Sequence, residues 1–122
     1  MIVTNVETAK LTTSRDGAIV RTLVHPKLHG NANQSLAMAE LPPGARTELH
    51  RHQQGEEVYY ILQGRGIITV DQETQEVVPG DCICVHPGRA HRLESTGWEP
   101  LKLLCSCSPP YSLSDVSVVS DE

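Results

Sequence analysis

Two histidines one residue apart, His50 and His52, are followed after an interval of four residues by Glu57. A third histidine, His91, closes the turn Pro87-Gly88-Arg89-Ala90-His91. Three imidazoles and a carboxylate make a donor set for one transition-metal ion. Neutral imidazole suits zinc, copper, iron and nickel, and an added carboxylate suits a harder ion such as iron or manganese. Four protein ligands on an octahedral ion leave two positions for water, dioxygen or a bidentate substrate. The same four would close a tetrahedral zinc. This difference favours iron or manganese as the working ion, with zinc, nickel, copper or cobalt also acceptable to the same donors.

The chemistry requires elements that bring the donors together. On a strand, side chains alternate between faces, so His50 and His52 point the same way as Glu48, while Leu49 and Arg51 point oppositely. The short polar loop Gln53-Gln54-Gly55-Glu56 then reverses the chain and sets a carboxylate opposite the imidazoles. Turn signals recur along the sequence at Asp16-Gly17, Pro42-Pro43-Gly44, Gly64-Arg65-Gly66, Pro79-Gly80, Pro87-Gly88 and Thr96-Gly97. Between them lie β-rich runs: Ala18–Val24, Ser35–Glu40, Glu57–Gln63, Ile67–Asp71, Glu76–Val78, Asp81–His86 and Leu101–Ser106. Short strands punctuated in this way predict an all-β sandwich or barrel. Gln72–Gln75 reads as a hairpin loop. In Glu57–Gln63, both Glu57/Tyr59/Ile61 and Val58/Tyr60/Leu62 are largely apolar faces, so both are expected to be covered. A second subunit, making a homodimer, is the favoured cover for one face; the chain's own N-terminal strands are the other.

The 122 residues suit one domain, residues 1–122, with a Ser- and Asp-rich tail over 112–122 in which Val116, Val118 and Val119 could form a strand and the last residues fray. With no Phe, three Tyr and one Trp, the core must be aliphatic. The net charge of −5 and the scattered Lys and Arg exclude a nucleic-acid surface. No apolar run reaches membrane-span length, and the N-terminus has no signal-peptide pattern, so a cytoplasmic protein is expected. The cysteines form two C-x-C pairs, Cys82/Cys84 and Cys105/Cys107. Side by side they could hold zinc through four thiolates; the favoured reading is small buried hydrophobes.

The motif spacing resembles the cupin superfamily. The first stretch reads Gly44, five residues, His50-Arg51-His52, four residues, Glu57, six residues, Gly64. The second reads Gly80, five residues, His86-Pro87-Gly88, two residues, His91, with His86 where the family commonly has Pro and Ser95 where it commonly has Asn. The resemblance, within residues 44–95, implies a small antiparallel β-barrel, a double-stranded β-helix of jelly-roll type. It also implies a metal held by His50, His52, Glu57 and His91 at the barrel mouth. Glu56 is the alternative carboxylate, but it breaks the spacing to Gly64.

Other residues could serve such a site. His86, Tyr59 and Glu56 are candidate acid–base groups, and Arg46 and Arg89 could grip a substrate carboxylate. A surface turn is the plainer reading of His86, Arg46 and Arg89, while Tyr59 could equally well merely fill space. His25 and His29 could line the entrance, but a simple surface loop is the favoured reading. Three functions fit. The favoured one is a non-haem metal oxidoreductase, dioxygenase-like, acting on a small oxygen-bearing metabolite. The second is a redox-neutral isomerase, cyclase or lyase on a sugar-like or polyketide-like substrate, the ion polarising a carbonyl. The third is a module that binds metal and metabolite without turnover.

Overall fold

The computed structural model describes residues 1–14 and 16–120; the expected fraying of the last two residues lies outside them. Eleven strands are assigned among these residues. They are β1 (Lys10–Thr13), β2 (Ile19–Val24), β3 (Ser35–Leu41), β4 (His50–His52), β5 (Glu56–Gln63), β6 (Gly66–Val70), β7 (Glu73–Val77), β8 (Cys82–Val85), β9 (His91–Ser95), β10 (Leu101–Ser108) and β11 (Val116–Val118). A one-turn helix, α1 (Pro26–His29), joins β2 to β3. Two antiparallel sheets result, ordered β1-β2-β3-β10-β5-β8 and β11-β4-β9-β6-β7. They face each other as a jelly-roll β-barrel. No helix among the described residues is long and apolar enough to cross a membrane.

The alternation of side chains decides what lies between the sheets. In β5, Glu57, Tyr59 and Ile61 are buried, while Glu56, Tyr60 and Leu62 are exposed. In β10, Leu101, Leu103 and Cys107 are buried. With Leu41, Ile68, Val77, Val85 and Leu93 they form an aliphatic core, as the shortage of aromatics requires. Each such side chain contributes roughly 1.5–3 kcal/mol by leaving water. The expected hairpin loop at Gln72–Gln75 is shorter than read. β7 begins at Glu73, and the turn is Asp71-Gln72, with Asp71 at φ 52. Polar residues mislead here because β7 is exposed along nearly its whole length. β1 and β9 escaped the sequence reading, β1 because all four of its residues are exposed.

The N-terminal strands do not cover the outer face of β5. β1 and β2 extend the same sheet beyond β3 rather than lying over it, and Tyr60 and Leu62 remain 43% and 42% exposed. The cysteine pairs also separate. Cys105 stands opposite Tyr59 and Cys107 opposite Glu57, facing inward, whereas Cys84 stands opposite Val58 and Cys82 opposite Tyr60, facing out. A four-thiolate site is therefore excluded by the sheet itself. The buried-hydrophobe reading fits Cys107 and half-buried Cys105 but fails for exposed Cys82 and Cys84.

The turn after β5 depends on Gly64. Its φ is 88°, and a Cβ there would stand 2.5 Å from the Pro100 carbonyl oxygen and 2.9 Å from Leu101 Cα, both backbone atoms. Gly88 has a similar φ of 84° but open space around it. Gly64→Ala should therefore destabilise the fold by roughly 2–4 kcal/mol, combining left-handed strain with a clash, and Gly88→Ala by about 1 kcal/mol. Denaturant midpoints of the two variants check the difference; equal losses would count against the close approach at Gly64.

Candidate metal centre

The donors arrive from both sheets. β4 carries His50 and His52, and β9 carries His91 directly opposite His50. Glu57 comes from β5, in the other sheet. One donor atom from each of the four residues lies within 4.8 Å of the others. Glu57 Oε1 is the point of convergence: His52 Nε2 lies 3.2 Å away, His91 Nε2 3.0 Å, and Tyr59 Oη, which donates to it, 2.6 Å. Ligands at adjacent positions of an octahedral ion with bonds of about 2.1 Å lie about 3.0 Å apart, so these separations suit a common cation. His52, Glu57 and His91 are buried, and His50 is half-buried.

Backbone groups fix two of the rings. His50 Nδ1 donates to the Glu48 carbonyl at 2.7 Å, and His91 Nδ1 donates to the Arg89 carbonyl at 3.0 Å. A carbonyl only accepts, so each neutral ring carries its proton on Nδ1 and turns an Nε2 lone pair inward. For His91 that lone pair faces the Glu57 oxygen. Two acceptors at 3.0 Å repel unless a proton or a cation lies between them. The donors thus fit a divalent transition ion. His52 is the exception: its buried Nδ1 has no partner among the described residues. Its tautomer therefore follows whatever its Nε2 meets.

The electrostatics follow from this convergence. Burial opposes ionisation of Glu57, but its close contacts with the His52 and His91 rings and the hydrogen bond from Tyr59 outweigh it and hold the carboxyl far below its ordinary 4.5. Burial opposes charging of His52, but the hydrogen bond and charge of Glu57, with Asp115 farther off, raise its pKa above 6.5. Burial lowers that of His50, with neighbouring His91 adding to the effect. Burial, then the Glu57 charge, pushes the Tyr59 hydroxyl well above 10.0, so it stays protonated as a donor. Burial and Glu57 also push Cys107 up to about 12 and raise Cys105 well above 9.0, leaving both as neutral wall residues.

Each ligand has a support that the motif does not show. Asp16 accepts from the Glu48 N–H at 3.1 Å, and Glu48 in turn orients His50. Asp115 accepts from the N–H groups of Gln54 and Gly55, both at 2.9 Å, pinning the loop between His52 and Glu57. β11 pairs with β4, setting Val116 opposite His52. Tyr111 brings its ring centroid to 5.9 Å from that of His52. Tyr111, Asp16 and Asp115 lie outside the motif region, and only tertiary contacts identify them; the Asp16-Gly17 turn was the sole local signal.

The remaining candidates lie apart from the four ligands. Glu56 and His86 are exposed, with His86 Nδ1 3.6 Å from Glu56 Oε2. Arg89 Nη1 donates to Asp71 Oδ2 at 2.8 Å, on the surface, where the pair braces the turn that presents His91. Arg46 is exposed. His25 Nδ1 caps α1, and its Nε2 contacts the Tyr111 carbonyl at 2.8 Å. His29 Nδ1 accepts from the His25 N–H.

A jelly-roll barrel with a three-histidine, one-glutamate cluster between its sheets defines a class of small β-barrel proteins with a possible metal centre. Residues 37–107 match the cupin domain family, and the chain belongs to it. It is 46% identical over 106 residues to an uncharacterized protein of Methanocaldococcus jannaschii, covering 87% of this chain and 85% of that one. An oxalate-binding protein of Thermotoga maritima is 34% identical over 74 residues, 61% of each chain. The polyketide cyclase RemF from Streptomyces resistomycificus superposes with a TM-score of 0.84 at 21% identity, covering 100% of this chain and 87% of that one; this likeness concerns the fold.

Two outcomes test the centre. His52→Ala and His91→Ala should each bind one metal equivalent fewer than the wild-type chain, measured by elemental analysis of dialysed protein; wild-type metal content in either would remove that residue from the ligand set. The second outcome concerns acid. Glu57 has a depressed folded pKa, so its contribution to stability is complete above 4.5 and is lost as pH falls below it. The metal-free protein should lose stability between about pH 6 and about pH 3.5, and Glu57→Gln should lose less over that interval. Unfolding curves at both values check the slope.

Proposed function

We propose that this cupin is a metal-dependent enzyme acting on a small oxygen-bearing metabolite, with oxidative, dioxygenase-like chemistry. The observation that carries the reading is the gathering of buried His52, Glu57 and His91 with half-buried His50, with the acid–base candidates Glu56 and His86 outside it and Tyr59 engaged as a donor to Glu57. A reaction driven by side-chain proton transfer would need such groups beside the substrate. Bound at the four residues, iron or manganese would supply Lewis acidity and one-electron redox chemistry.

The chain's own residues prepare the site. Tyr59 keeps its proton and holds the Glu57 carboxylate in place through its 2.6 Å hydrogen bond. Cys105 and Cys107, standing opposite Tyr59 and Glu57, supply a neutral, weakly polar wall. Tyr111, partly exposed next to His52, is suited to orient a substrate oxygen through its hydroxyl. The same phenol favours a second reading, a redox-neutral cyclase, isomerase or lyase in which Tyr111 gives or takes the proton. Oxygen uptake with diketones, flavonols, thiols and keto acids tests the first reading. Substrate consumed anaerobically at an unchanged rate would replace it with the second. Metal-dependent binding of these compounds or of oxalate, with no turnover under either condition, would leave a binding module.

The exposed Tyr60 and Leu62, beside Leu104 on the outer face of the six-stranded sheet, support a homodimer built on the β5–β10 part of that face, with the β8 edge left outside it. The four free cysteines suit a reducing, cytoplasmic setting. Tyr60→Lys with Leu62→Lys should halve the mass measured by light scattering; a monomeric wild-type chain would refute the dimer.

A further inference from the structure

A second group of metal-binding side chains lies on the outer face, away from the centre described above. Glu56, Cys84 and His86 bring one donor atom each to within 4.8 Å of one another, and all three are exposed. The pairing of β5 with β8 assembles them. Val58 stands opposite Cys84 and Glu57 opposite Val85, so Glu56 and His86 meet one step further along, at 3.6 Å. Cys82, two residues before Cys84 on the same face, is also exposed.

We infer that Glu56, Cys84 and His86, with water as fourth donor, form a surface site for a borderline-soft divalent cation such as zinc. Thiolate, imidazole and carboxylate are the three donor types that tetrahedral zinc takes. Their donors would lie about 3.5 Å apart around such an ion, a closure that exposed side chains reach by rotamer change. Cys82 and Cys84 are poorly placed to pair with each other instead. Alternate residues of one strand stand about 6.6 Å apart, near the limit for a disulfide. The thiols also border a groove of about 510 Å³ between β8 and the β6–β7 hairpin. Glu73 and Asp81 line that groove as well, adding negative potential that favours a cation. Binding would release the Cys84 proton to solvent and leave a thiolate on the ion. A cation there would also offset the repulsion between that thiolate and its neighbours; burial, then Glu56 and Cys82, raise the Cys84 pKa above 9.0.

The two sites differ in one spectroscopic respect: only the outer one contains sulfur. Cobalt(II) titrated into the reduced, metal-stripped full chain should fill two equivalents, one accompanied by a thiolate-to-cobalt charge-transfer band in the near ultraviolet. Cys84→Ser should lose the band and one equivalent. His86→Ala should weaken the band-forming step about tenfold or more. His52→Ala should lose the other equivalent and keep the band. The inference is overturned by absence of the band at cobalt levels that fill the histidine centre, or by its appearance only at millimolar cobalt. A band that survives Cys84→Ser, or one that disappears with His52→Ala, overturns it equally. Failure of the inner centre would appear instead as a single equivalent carrying the band, so the two readings are tested separately.

Discussion

The structure turns on one carboxylate oxygen. Glu57 Oε1 receives the Tyr59 hydroxyl and lies within 3.2 Å of Nε2 atoms on His52 and His91. A carboxylate buried without partners would protonate or unfold the region around it. With these partners it stays ionised at the centre of the barrel. Because Glu57 belongs to one sheet and the histidines to the other, this one electrostatic knot ties the two sheets together. It also places a negative charge where three imidazoles meet, which is the condition for holding a divalent ion.

Much of the surrounding structure serves to keep that knot in register. Asp16 holds Glu48, whose carbonyl sets the His50 ring. Asp71 receives the Arg89 guanidinium and the Ala90 N–H and so fixes the turn before His91. Asp115 closes the short loop between His52 and Glu57. In all three places an acidic side chain accepts hydrogen bonds from groups next to a ligand and leaves the ligand's own donor atom free. Oriented ligands lose less entropy on coordination, which is why such supports matter to metal affinity.

The same alternation that builds the interior produces a separate chemistry outside. β5 turns Glu57 inward and Glu56 outward, and β8 turns Val85 inward and Cys84 outward. Two adjacent glutamates therefore take opposite environments, one buried among imidazoles and one in solvent beside a thiol and His86. The period of a strand is two residues, so a one-residue shift exchanges the two faces. This is the physical reason for preferring Glu57 over Glu56 in the inner cluster.

The donor types, their spacing and the face on which His50, His52, Tyr59 and Glu57 lie were legible in the sequence, because strand alternation is local and rigid. The dense turns marked most strands to within a residue or two, and the scarcity of aromatics foretold an aliphatic core. Strands exposed on both sides, such as β1 and most of β7, carried no hydrophobic pattern and were missed or trimmed. Tertiary structure alone decided which distant residues brace the site: Asp16 and Asp115 act across 32 and more than 60 positions of chain. It also decided that the two C-x-C pairs face opposite ways, since that depends on which strands flank β5 and in what register. Spacing within a strand fixes the direction of a side chain, but only the closing of the sheets determines what that side chain meets.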